Sequence, residues 1–269
     1  MKKRIIILSL IFILSMPTFS LAKTEGIKAR SSSGKTEAVK YINKFIDNTS
    51  LISEVDLTTA LKAMIKMKGQ KPQKVKSLVR VKMKKGHGAE IDISKVAVSI
   101  VGTTEFGEQK AKTGLYIKDG YIYQNIMGAK TKKPLEAEPE KLMMTSQYKG
   151  FDIKSSWLKS AKVKKYNRGR NVAITAEVNL KNVQNFIKKD PNLKNLLERD
   201  DKIELSSVKK LLIGYYIKNN VPYQSSMYIE VKDTDISGSG FIKVNYNKIN
   251  NIGDISYPPD LGSYRLEGE

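Results

Sequence analysis

The chain has 269 residues, with 48 lysines and arginines against 27 acidic residues, a net charge of +21 and no cysteine. Without cysteine there are no disulfides, thiolate metal sites, thiol nucleophiles or lipid-modified N-terminal Cys. A charge this positive calls for an anionic partner, and the chain's destination decides which one.

The N-terminus sets that destination. Lys2, Lys3 and Arg4 precede Ile5–Met16, which is apolar apart from two serines; Pro17 breaks the run, and Ser20-Leu21-Ala22 is a small-x-small site. About a dozen residues are too few to span a bilayer of ~30 Å. Residues 1–22 therefore read as a secretory signal peptide cleaved after Ala22. Three of the 48 basic residues leave with it, so the mature chain carries 45 against 27 acidic ones, net +18. For an exported chain no nucleic acid partner is expected. The polyanions it meets are envelope polymers and the headgroups of a membrane surface.

Residues 23–35, with Ser31-Ser32-Ser33-Gly34, read as a flexible leader. From Thr36 the spacing of Ala38, Val39, Ile42, Phe45 and Ile46 predicts an amphipathic helix. Ser53 as N-cap, the stripe Leu57, Ala60, Leu61 and Met64, and Gly69 with Pro72 predict a second helix. From Lys76 the period drops to two, giving strands on either side of Gly86-His87-Gly88, with a bend at Gly102. Gly128–Pro134 reads as a basic turn and Pro139–Met144 as a short helix. The second half is expected to hold strands around Asn167–Arg170, a helix carrying Val183, Phe186 and Ile187, and a further turn or two with Leu193, Leu196 and Leu197. A long strand Ile203–Lys218 and a last strand with Phe241, Val244 and Tyr246 follow, and regular structure ends at Pro258-Pro259. This is an α+β chain, a single domain over 36–260 of two loosely similar halves (36–150 and 151–260), with a tail at 261–269.

One motif occurs twice. Gly114–Met127 and Gly214–Met227 share seven of fourteen positions, each around a two-residue turn, Asp119-Gly120 or Asn219-Asn220. Residues tolerant of positive φ at both positions define type I′ hairpins. The turns fix the pairs Lys118/Tyr121, Ile117/Ile122, Tyr116/Tyr123 and Leu115/Gln124 in one copy. In the other they fix Lys218/Val221, Ile217/Pro222, Tyr216/Tyr223 and Tyr215/Gln224. Neither face of either hairpin is plainly polar, so something must cover both.

Tyr116-Ile-Lys-Asp-Gly-Tyr-Ile-Tyr, Ile217-Lys-Asn-Asn-Val-Pro-Tyr-Gln-Ser-Ser-Met and the terminal Ile255-Ser-Tyr-Pro-Pro together resemble the LolA/LppX-like lipoprotein superfamily, in particular its Gram-positive members. The resemblance spans most of residues 36–260. It implies a large curved antiparallel sheet, an unclosed β-barrel, with helices covering the concave face and a lipid or other apolar ligand held between them. Lys23 stands where lipoprotein relatives carry the modified Cys, so a lipid anchor is not expected. The resemblance supplies no catalytic motif.

The ligand-lining candidates are Ile117, Ile122, Leu115, Ile217 and Tyr215 of the hairpins, together with Trp157, the single tryptophan. The polyanion-contact candidates are Lys82, Lys84 and Lys85; Lys130, Lys132 and Lys133; and Lys162, Lys164 and Lys165. The lone His87 between glycines reads as a turn residue. No P-loop, dinucleotide fingerprint, zinc signature or EF-hand loop is present. The chain reads as a binding protein rather than an enzyme, with no cofactor and no metal.

Overall fold

The computed structural model describes residues 33–85, 96–135, 153–189 and 207–267. The signal peptide, His87, the helix expected at 139–144 and the leucines at 193–197 lie outside them. Helix α1 spans Ser33–Ser50 and α2 spans Leu180–Lys189. The first six strands are β1 (Glu54–Met67), β2 (Gln73–Lys84), β3 (Ala97–Phe106), β4 (Gln109–Lys118), β5 (Tyr121–Ile126) and β6 (Ala129–Pro134). After them come β7 (Leu158–Tyr166), β8 (Asn171–Val178), β9 (Val208–Lys218), β10 (Val221–Lys232), β11 (Ile236–Ile249) and β12 (Arg265–Leu266).

All twelve strands form one curved, unclosed sheet in the order β12-β6-β5-β4-β3-β2-β1-β11-β10-β9-β8-β7. β1–β6 are one meander and β7–β11 another, and the antiparallel pair β1:β11 joins them. This corrects the second helix expected at 53–69, because that segment is β1, the middle of the sheet. Alanine, leucine, lysine and methionine give it helix propensity and a plausible 3.6-residue stripe. Yet Leu57, Thr59, Leu61, Ala63 and Ile65 also alternate, and with β2 and β11 on either side the pairing overrides propensity. Gly69, read as a helix stop, has φ +73° and closes the β1–β2 hairpin instead. Gly102 lies within β3, the basic turn at 128–134 is largely strand β6, and α1 begins three residues before Thr36.

Alternation along the strands separates two faces. On one, Ala38, Ile42 and Phe45 of α1 pack on Leu57, Leu61, Val172, Ile174, Ile217, Ile242, Val244 and Tyr246. The Phe45 ring sits 4.9 Å from that of Tyr215 and 5.8 Å from that of Tyr246. Burial pushes the Tyr215 phenol up to about 12 and raises that of Tyr246 as well, so both stay neutral in this dry contact. Lys44 and Asn48 of α1 also hold the Asn219-Asn220 turn, donating to the Asn220 side chain (3.2 Å) and carbonyl (2.9 Å). Phe45→Ala should lower stability by about 3–5 kcal/mol, read as the unfolding midpoint in urea.

On the opposite face, near one end of the β1:β11 seam, a carboxylate is buried. Asp56 is 3% exposed and accepts from Arg80 Nη2 (2.7 Å), Arg80 Nε (3.1 Å) and Asn247 Nδ2 (3.1 Å). Asn247 is the extra residue of a β-bulge, since Asp56 pairs with Lys248 while Leu57 pairs with Tyr246. Burial alone would raise the Asp56 carboxyl. The hydrogen bonds from Arg80 and Asn247, with the charge of Arg80, outweigh it and hold the group below its ordinary value. A carboxyl depressed in the folded state adds stability above its unfolded value of ~3.9 and loses it as pH falls through the folded value. Asp56→Asn should therefore be less stable than wild type at pH 7, by about 1.5–3 kcal/mol. The gap should close on acidification below about pH 4, as followed by thermal melts across pH.

Candidate functional site

Each of the two hairpins has its own cover. Ile117 and Ile122 pair as expected and pack with Val98 and Leu135, with Leu115 at the edge of that cluster. Their other face, Tyr116 and Tyr123, is covered by the C-terminal segment. Tyr257 sits edge-on to Tyr116 at 6.4 Å, Tyr264 edge-on to Tyr123 at 5.6 Å, and Leu261 completes the cluster. Lys130 pairs with Asp260, and β12 adds parallel to β6, so the expected tail is built into the sheet. The motif's glycine has a steric reason in each copy, since a Cβ at Gly114 would lie 2.6 Å from the Tyr116 hydroxyl and one at Gly214 2.5 Å from Ser226 Oγ.

In the second hairpin Lys218/Val221 and Ile217/Pro222 pair as expected, but the next two rungs shift. Tyr216 lies opposite Gln224 and Tyr215 opposite Ser225, because Tyr223 is bulged out. The Tyr216 and Tyr223 rings still meet edge-on at 5.5 Å. Pairing with β11 starts at Gln224, two residues past Pro222, whose missing N–H cannot join a ladder. Ile217 and Tyr215 belong to the cluster under α1, while half-buried Trp157 ends a 3-10 turn beside α2. The six ligand-lining candidates thus fall into separate groups.

The lysine triplets are likewise divided, because neighbours on a strand point to opposite faces. Lys84 reaches Glu54 (3.8 Å), and Lys85 donates to the Ser50 carbonyl at the end of α1 (3.4 Å). Lys133 reaches Glu267 (3.9 Å), and Lys165 reaches Glu37 (2.5 Å) and the Tyr41 ring. Lys132 stacks over Tyr121 at 5.6 Å. Lys82, Lys162 and Lys164 share the face opposite α1, and that face holds the feature the sequence reading missed.

At the centre of the sheet β1, β2, β10 and β11 form a groove of about 360 Å³ on the face opposite α1. Met64, Tyr228 and Phe241 supply its apolar surface, and Lys62, Lys74 and Lys76 stand around it. Lys62 lies directly across from Lys76 on one side and Phe241 on the other, and Met64 lies across from Lys74 and Ser239. On the groove face β11 carries only the small side chains of Ser237 and Ser239 before Phe241, which leaves room for the hollow. Among the described residues none of these three lysines has a carboxylate partner, and like charges directly opposite one another cost stability. A signal was present in the alternation Lys62-x-Met64 and Lys74-x-Lys76. It could be used only once 54–67 was known to be a strand paired to β11. Among the described residues no group of His, Asp or Glu could hold a metal ion.

No protein-family model matches the chain, and no curated protein matches it in sequence. Similar solved structures include LprF from Mycobacterium bovis, 10% identical with a TM-score of 0.43, covering 84% of this chain and 98% of that one. An outer membrane lipoprotein-sorting protein domain from Vibrio parahaemolyticus is 9% identical with a TM-score of 0.23, covering 86% and 98%. A LolA superfamily protein from Nitrosomonas europaea is 8% identical with a TM-score of 0.18, covering 83% and 95%. All three likenesses have TM-scores below 0.5 and say nothing of this chain's family or ligand.

If the opposed lysines are held for a ligand at the expense of the fold, Lys62→Gln, whose cross-strand neighbours are Lys76 and Phe241, should raise stability by about 0.2–1 kcal/mol. The gain should shrink in high salt, as measured by urea unfolding at two ionic strengths.

Proposed function

We propose that the chain is a non-enzymatic binding protein of the cell envelope that holds a lipid or other apolar ligand against the α1-bearing face of its sheet. The observation that carries this reading is the reach of that apolar face. Among the described residues α1 packs on β7–β10 and touches β11 through Phe45. The same face runs on through β1, β2, β3 and β4 with Ile65, Val81, Ile100 and Leu115, each only partly buried. It links the cluster under α1, which holds Ile217 and Tyr215, to the cluster around Ile117 and Ile122. Polar atoms are few along this path, as an acyl chain requires. Export by the signal peptide, without a lipid anchor at Lys23, makes the protein a mobile holder.

A second reading is favoured by the opposite face. Lys62, Lys66, Lys74, Lys76 and Lys243 lie there without a carboxylate partner among the described residues. Such rows of charge attract an anionic polymer or membrane surface. The two readings are compatible, because they use opposite faces of one sheet.

Native mass spectrometry of protein taken from its own cells should show a bound apolar mass. Leu115→Asp and Ile100→Asp should each cut uptake of a fluorescent fatty acid at least tenfold while the melt stays cooperative. Absence of both bound mass and uptake contradicts the first reading.

A further inference from the structure

The groove combines two features seldom found together on the surface of a sheet. Phe241 is 42% exposed and Met64 38% exposed, and Leu78 and Val101 lie bare on the same face two and three strands away. Around the groove stand Lys62, Lys74 and Lys76, with Lys243 one rung further along β11. Of the carboxylates in neighbouring rows, Glu230 lies opposite Ser239 and Lys210, while Glu105 lies across from Lys76 on β3 and pairs instead with Lys110 at 3.4 Å. A solvated lysine face needs no bare aromatic ring, and an apolar protein interface is depleted of lysine. An aromatic and a methionine ringed by unpaired lysines match the interfacial zone of an anionic bilayer, where phosphates lie a few ångströms above the first methylenes.

From this we propose that the groove is where the protein seats on an anionic phospholipid membrane. Phe241 and Met64 enter below the headgroups, Lys62, Lys74 and Lys76 take lipid phosphates, and Tyr228 sits at the headgroup level with its ring down and its hydroxyl toward water. The volume agrees. About 360 Å³ equals roughly a dozen waters at ~30 Å³ each, enough for one headgroup and too little for its acyl chains. The phosphate also removes the repulsion between Lys62 and Lys76. The proposal rests on the second reading above, that the basic face meets an anionic surface, and narrows it to one place and one chemistry.

Cosedimentation of the exported protein with vesicles of phosphatidylcholine containing 30% phosphatidylglycerol, or of phosphatidylcholine alone, tests it at low and high salt. Wild type should bind the anionic vesicles and release in high salt. K62Q/K74Q/K76Q together should weaken binding about 100-fold, at roughly fivefold per lysine, and flatten the salt dependence. Phe241→Ser should weaken binding about tenfold and leave the salt dependence unchanged. Phe241 is exposed, so this variant keeps its melt. Phe241→Trp adds a reporter, whose emission should be quenched by brominated lipid beyond whatever quenching Trp157 shows in wild type. If Phe241→Ser binds as wild type does and the new Trp is unquenched, the groove assignment falls while the electrostatic reading stands. If wild type at low salt binds neither vesicle and is not retained by a soluble anionic polymer either, both fall. Retention by a soluble anionic polymer such as polyphosphate, without vesicle binding, makes the partner a polymer and overturns the membrane site alone.

Discussion

The β1:β11 pairing is the constraint on which the rest depends. It joins strands almost two hundred residues apart in sequence and makes one sheet of two meanders, each otherwise built from neighbours in the chain. A run of thirteen paired residues aligns Leu61 with Ile242 and Thr59 with Val244, which brings the apolar residues of both meanders onto the same side as α1. A slip of one residue would turn every side chain of β1 to the wrong face. Two local devices near the bulge resist that slip. Asn247 bends its amide back to Asp56 and Thr58, and Arg80 on β2 grips the same carboxylate, so three strands are locked at one level.

Both faces of the sheet follow from that seam. On the α1 side the apolar surface is shared among a helix, a cluster closed by Leu135 and a partly buried stretch between them. On the other side the outermost strands of the first meander are covered by residues 257–264, and no described residue covers the seam itself. Lys62, Lys66, Lys74, Lys76 and Lys243, which have no carboxylate partner among the described residues, lie on the three strands at the seam. Lysines near such cover, by contrast, are engaged in it, as with Lys85 at the end of α1, Lys130 with Asp260 and Lys165 with Glu37. Charge that serves the fold and charge free to meet a partner are thereby separated in space.

The hairpins were legible in the sequence because a type I′ turn is local chemistry. Asp119, Gly120, Asn219 and Asn220 all take positive φ, and the four rungs of the first copy fall as the turn dictates. Pro222, which cannot donate to a next strand, signals an edge or a bulge in the second copy, but that Tyr223 is the residue bulged out depends on where β11 begins to pair. β1 read as a helix because its residues suit both periods, and only neighbours far along the chain choose between them. The groove was hidden for the same reason. Its residues come from 62–64, 74–76, 228 and 239–241, and nothing short of the seam places them together. The lysine triplets carried the charge signal correctly but not its geometry. On a strand a surface row is made of alternate residues, so the first two lysines of each triplet share a face and the third turns to the other. The cover supplied by Tyr257, Leu261 and Tyr264 lay in a stretch without periodicity, where sequence patterns are silent.

The proposed lipid-holding and membrane-seating faces lie on opposite sides of one sheet, as a protein that handled apolar cargo at a charged surface would need. That picture stands or falls with the seam, and nuclear Overhauser contacts between backbone amides of isotopically labelled, perdeuterated protein address it directly. Contacts across strands from the middle of 54–67 to the region of Ile242, and to the region of Ser77 on the other side, are the predicted result. Continuous amide contacts between sequence neighbours along 54–67, with none to residues 236–249, would make that segment the helix its composition allows. In that case the single sheet, its two faces and the groove would all be contradicted.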